Sequence, residues 1–245
     1  MKSKKLILRS MQSVLFTAAY SIDRKIDFAS EFVKRSSRMF GNDPSIGSSP
    51  QNAPPNVPRL EIKSPDQSHI VHFYPNQVSF MFQDTRNLRT TIKGVFPGFL
   101  GGIESEIQSI MEFINPKVTR LGFVTHFIAE LGSSANQYIS ENMLKDNPFP
   151  DAHELHFGVL HRLDLVGFPV NRWVRYRSLR AKNDPTADFA MGIDIDINTL
   201  AEQVNDFSAG QIIDYFQAGF QHITSNIGDF PFFDDGFESS DGFST

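Results

Sequence analysis

Asp188-Phe189-Ala190-Met191-Gly192-Ile193-Asp194-Ile195-Asp196-Ile197 alternates apolar and polar side chains almost without a break. A period of two belongs to a β-strand with one wall in a core and the other facing water. Phe189, Met191, Ile193, Ile195 and Ile197 go inward, and Asp194 and Asp196 outward. Clean alternation points to an antiparallel sheet covered on one face, because a parallel sheet covered on both would read as a continuous apolar run.

Working outward from this strand, Glu154–Val166 and Val170–Leu179 read as two more strands joined by a hairpin at Gly167-Phe168-Pro169. Asn183-Asp184-Pro185 leads into the final strand. Beyond it, Ser208 caps a helix striped by Ile212, Phe216, Phe220, Ile223 and Ile227. Upstream, Lys117–Ala129 is a strand with Leu121, Phe123 and Phe127 on one face. A short polar helix over Ser134–Leu144 and a turn at Asn147-Pro148-Phe149-Pro150 follow it.

The same order of strand, helix, three strands and helix can be read earlier in the chain. Ser13–Tyr20 opens it, then a helix over Asp23–Phe40 with Ile26, Phe28, Phe32, Val33 and Met39 inward and Gly41 closing it. Short strands follow at Arg59–Lys63, His69–Phe73 and Gln77–Phe82. Gly94–Gly102 reads as a loop, ahead of a helix striped by Ile103, Ile107, Ile110, Met111 and Ile114 and stopped at Asn115-Pro116. Asn42–Pro58, rich in Pro, Ser, Asn and Gly, reads as a flexible loop. The expectation is an α+β fold: a curved antiparallel sheet with helices on one face, built from two pseudo-repeated halves, 1–116 and 117–228, with a tail at 229–245.

With 40% hydrophobic residues and 24 Phe, the chain has the material for a substantial core. The absence of Cys removes disulfides, thiol nucleophiles and Cys-ligated metals, and points to the cytoplasm. No run reaches the length of a membrane span. Lys2, Lys4 and Lys5 precede Leu6-Ile7-Leu8, but Arg9, Ser10 and Gln12 break any signal-peptide core, so the start reads as a basic leader into a strand.

Net charge is −5, and its distribution is uneven. Residues 229–245 hold Asp229, Asp234, Asp235, Glu238 and Asp241 with no Lys or Arg. Residues 1–40 are basic. Phe230, Phe232, Phe233 and Phe237, set among Asp234 and Asp235, match the chemistry of segments that dock an aromatic ring in a pocket with a basic rim. They are the candidate partner-binding residues, toward another protein or within the chain. The alternative is a solubilising tail.

The strongest constellation lies in Asn171-Arg172-Trp173-Val174-Arg175-Tyr176-Arg177, with Arg162, Arg180 and Lys182 nearby. Alternation sets Trp173, Arg175 and Arg177 on one face. A planar ring beside guanidinium groups suits a small anionic or nucleotide-like ligand, the ring stacking and the arginines gripping phosphate or carboxylate. The competing reading is an exposed sheet face whose arginine stems cover Trp173 and pair with local acids. A body that is not basic overall disfavours nucleic acid.

Asp194 and Asp196 would bind Mg²⁺ only if a third carboxylate, Asp164 or Glu202, converged on them. His69 and His72, like His153 and His156, sit in patterns that point to opposite strand faces, which is poor ligand geometry. His126 would act as a general base only beside a partner the sequence does not identify. No metalloprotease, nucleophile-elbow, phosphate-loop or dinucleotide-binding pattern occurs, and nothing calls for a cofactor or metal.

Val118-Thr119-Arg120-Leu121-Gly122-Phe123, the long hairpin, Gly192-Ile193-Asp194-Ile195-Asp196 and the helix led by Phe207-Ser208 resemble a sporadically distributed bacterial family of similar chain length. The Arg59–Phe82 strands fit its plan, so the resemblance spans residues 13–228. The linker and the acidic tail depart from it. The resemblance brings no activity and implies a setting among bacterial defence or mobile-island genes. The expected function is non-enzymatic binding of a small anionic or nucleotide-like ligand at Trp173, Arg175, Arg177 and Arg162. The alternatives are an interaction subunit or homo-oligomer that uses the tail, and a metal-dependent phosphodiesterase at Asp194 and Asp196.

Overall fold

The computed structural model describes residues 6–22, 25–35, 37–131, 134–144, 154–179, 190–203 and 205–226. Their order is β1 (Leu6–Thr17), α1 (Lys25–Arg35), α2 (Ser37–Phe40), β2 (Ser45–Ser48), β3 (Leu60–Lys63), β4 (His69–Tyr74), β5 (Gln77–Gln83) and α3 (Ile92–Phe113). Then come β6 (Val118–Glu130), α4 (Ala135–Met143), β7 (His156–Leu165), β8 (Phe168–Leu179), β9 (Ala190–Thr199) and α5 (Ala209–Asn226). The expected turn at Asn147–Pro150, together with Arg180, Lys182, Phe189, Ile227 and the tail, lies outside the described residues.

The nine strands form one open antiparallel sheet in the order β2-β3-β4-β5-β1-β6-β9-β8-β7. β1 and β6 pair at its centre, with Val14 opposite Gly122 and Gln12 opposite Val124. Inward side chains such as Phe73, Phe80, Phe123, Ile193 and Ile195 share one buried cluster with Phe32 of α1, Phe96 and Ile107 of α3, Tyr138 of α4 and Phe216 of α5. The helices therefore cover one sheet face. The antiparallel α+β expectation holds, as does the inward and outward split of the last strand.

Several local expectations are corrected. β1 starts at Leu6, not Ser13. A register shift between Leu8 and Ser10 breaks its alternation, which hides the strand from a period-two reading. Gly94–Gly102 is helix, the first half of a continuous α3 that Thr91 caps by accepting from the Gly94 N–H. Glycine and Pro97 argue against helix locally. Phe96, Phe99 and Ile103, all buried, outweigh them through packing. Ile26 is 71% exposed because α1 turns Ala29 and Phe32 into the core instead. Within the helix expected over Asp23–Phe40, the described residues Lys25–Arg35 (α1) and Ser37–Phe40 (α2) are helical.

Asn42–Pro58 is also not a free loop. Ser45–Ser48 pair with β3 as an edge strand whose four residues are all exposed, which is why it carries no hydrophobic signal. The buried Arg59 guanidinium donates to the carbonyl of Ala53 at 2.6 Å and to those of Pro54 and Val57 at 3.4 Å. Lys25 Nζ donates to the Ser49 carbonyl at 2.6 Å. Between β7 and β8 the turn is Val166-Gly167, both at positive φ, so Phe168 and Pro169 belong to the strand.

Among the described residues no helix is long and apolar enough to cross a membrane.

Candidate functional site

The face of β6, β9, β8 and β7 that the described helices leave uncovered is a grid fixed by register. His126, Asp194, Arg175 and Gly158 follow one another across the four strands. The next row runs Val124, Asp196, Trp173 and Leu160, and the third Gly122, Asn198, Asn171 and Arg162. Arg177 pairs with Gly192 on one side and His156 on the other. The structure thus places Trp173, Arg175, Arg177 and Arg162 on one face, as alternation requires.

Trp173 is half-buried, and the Arg175 guanidinium carbon stands 5.1 Å from its ring centroid. Arg175 Nη1 lies 3.5 Å from Asp196 Oδ2, and Arg177 Nη2 lies 3.6 Å from Asp194 Oδ1. The arginines do pair with local acids, as the competing reading of the sequence holds. Each pairing is a single long contact, and both side chains stay about half exposed, at 47% and 45%. A guanidinium has five N–H donors, and among the described residues these ion pairs engage few of them. Arg162 is exposed and makes no ion pair with a described residue.

Glycines shape this floor. A Cβ on Gly192 would stand 3.0 Å from Arg177 Nε and 3.1 Å from its Cγ, so Arg177 lies down across the strand only because that side chain is missing. Gly158 does the same more loosely opposite Arg175, whose Cγ would be 3.7 Å away. Sequence reading passes over both, because only the strand register shows which side chain crosses each glycine.

The partner missing for His126 is Asp194: Nδ1 donates to Oδ1 at 2.6 Å, and no described residue bonds Nε2. Burial works to raise the Asp194 pKa. The His126 hydrogen bond and charge, with Arg177 and Arg175, outweigh it and hold the carboxyl below its ordinary value. Asp196 accepts from the Asn198 amide. Asp164 accepts from the Gly167 N–H in the β7–β8 turn, and Glu202 is exposed in the turn after β9. Among the described residues, no three His, Asp or Glu side chains converge to hold a metal. His156 meets Glu154 at 2.7 Å and His72 meets Glu61 at 2.6 Å, while His153 lies outside the described residues. The candidate tail residues Phe230, Phe232, Phe233, Asp234, Asp235 and Phe237 also lie outside them.

On the helix side, Arg172 Nη1 meets His222 Nε2 of α5 at 2.9 Å. Burial, aided by the Arg172 charge, holds the His222 imidazole below its ordinary value. Burial does the same to His69, with Asp66 pulling the other way. A histidine depressed in the folded state is protonated first in the unfolded chain. Its contribution is therefore whole above the ordinary imidazole pKa of about 6.5 and is lost as pH falls below it. The unfolding temperature should drop between about pH 7 and about pH 5. In a chain carrying His69→Gln and His222→Gln that drop should shrink, and an unchanged drop would refute the assignment.

No protein-family model matches this chain, and no curated protein matches it.

Proposed function

We propose that this chain is a non-enzymatic binding protein whose face around Trp173, left uncovered by the described helices, takes a small anionic, planar ligand of nucleotide type. What carries the reading is the half-exposed state of Arg175 and Arg177 beside a half-buried indole, over a floor of Gly158 and Gly192. The ring supplies a stacking surface, the arginines supply charge-assisted donors, and Arg162 adds a flanking cation. Asp196, in the row of Trp173, and Asn198, in the next, offer an acceptor and an amide to hydroxyl groups of such a ligand. The bacterial defence setting implied by the family resemblance is the context in which this reading belongs.

We further infer that the chain is a duplication. Supporting this, β1 is followed across the sheet by β5, β4 and β3, and β6 by β9, β8 and β7, with an additional edge strand β2 on the first flank.

Trp173 is the only tryptophan, so tryptophan fluorescence, excited beyond tyrosine absorption, reports on the site alone. Titration with adenine and guanine nucleotides should give a saturable change. Arg175→Ala should raise Kd by about 10- to 100-fold, the worth of one hydrogen bond to a charged group. Absence of saturation across the nucleotide panel, with no small molecule co-purifying in native mass spectrometry, would sink the reading.

A further inference from the structure

Helix α5 ends at Asn226, one turn beyond His222, whose Nε2 meets Arg172 of β8. Arg172 is the sequence neighbour of Trp173 and projects from the other side of the same strand. Among the described residues only β7 lies beyond β8 at this edge of the sheet. A chain leaving Asn226 therefore starts beneath the candidate site, with one strand to pass around.

The segment that follows, 227–245, has five Asp or Glu and five Phe, and neither Lys nor Arg. The route down from the helix layer, around β7 and back over β8 is about 30 Å, given strand spacings near 4.8 Å and layer spacings near 10 Å. Extended chain covers about 3.3–3.6 Å per residue, so everything from Asp235 onward reaches Trp173.

The face has matching chemistry. Trp173 is half-buried, and Leu160, its register partner on β7, is 43% exposed; together they are an apolar seat for a Phe ring. Arg162, with no carboxylate among the described residues, and the half-exposed Arg175 and Arg177 provide cations around that seat. Attachment to the same chain gives the segment an effective concentration on the order of millimolar, so even a weak contact is populated.

We propose that the acidic, Phe-rich C-terminal segment of this chain docks in cis on its own Trp173–Arg175–Arg177 face and competes there with the anionic ligand. The proposal shares its surface with the function proposed above but not its ligand, and the test separates the two.

The probe is acrylamide quenching of Trp173 fluorescence in the full-length protein without added ligand. Full-length protein with Phe230, Phe232, Phe233, Phe237 and Phe243 all changed to Ser should be quenched about twofold more steeply, as one face of the ring is uncovered. Exchange of Asp229, Asp234, Asp235, Glu238 and Asp241 for their amides should do the same. About 0.5 M NaCl should move the native chain toward the variants, because exposed charge pairs are screened. Equal quenching in native and variant chains overturns the proposal. So does a concentration-dependent difference accompanied by a dimer in size-exclusion chromatography, which would place the segment on a second copy. A nucleotide titration without saturation, beside a clear difference in quenching, removes the ligand reading and leaves the docking.

Discussion

Phe96→Ala should lower the stability of the whole protein by about 3–5 kcal/mol, the range for a fully buried phenylalanine. Phe96 sits on α3 with 2% of its surface exposed. It stacks on Phe220 of α5 with ring centroids 3.8 Å apart and planes 2° from parallel, and meets Phe123 of β6 edge-on at 5.8 Å. Phe123 in turn reaches Phe216 at 6.3 Å. One ring thus joins the helix that follows β5 to the helix that follows β9, over a central strand. Denaturant unfolding should show a lower midpoint in a single transition, since both flanks share the contact. Phe113, 44% exposed near the end of the same helix, is the control, and its alanine variant should cost far less. A loss below about 1 kcal/mol at Phe96 would mean that the two helices are not coupled there.

Arg59→Ala should cost about 2–3 kcal/mol and open the segment before it, because the guanidinium is the common donor to three backbone carbonyls. Residue 59 is 9% exposed, so its loss also leaves a void that water must fill. Beyond the global loss, limited proteolysis should cut first within 49–58 in the variant, while the native chain resists there. Arg59→Lys restores charge but not the forked geometry, and should recover only part of the protection. Unchanged proteolysis in Arg59→Ala would show that strand pairing to β3 alone holds this segment.

What was legible in the sequence followed periodicity. The last strand and the inward side chains of α5 came from patterns that tertiary packing reinforces, and the short polar helix expected over Ser134–Leu144 is α4. Misreadings fell where packing or a single side chain overrode local preference. Buried Phe96 and Phe99 carry a helix through Gly94, Pro97 and Gly98; a bulge conceals the first half of β1; and Arg59 tethers a stretch that composition alone describes as loose. At the site, alternation placed Trp173, Arg175 and Arg177 together. The facing of His126 to Asp194, and of Gly192 to Arg177, depends on register between strands far apart in sequence, which no local pattern encodes.

The central seam between β1 and β6 has a consequence for synthesis. β1 can pair with β5 once residue 83 has left the ribosome, but its other edge waits for residues 118–130. At about 5–20 residues per second, a twelve-residue strand stays one-sided for several seconds in every nascent chain. During that interval Leu6, Ile7 and Leu8 border an open ladder of backbone donors and acceptors, the kind of edge on which neighbouring polypeptides on a polysome nucleate aggregation.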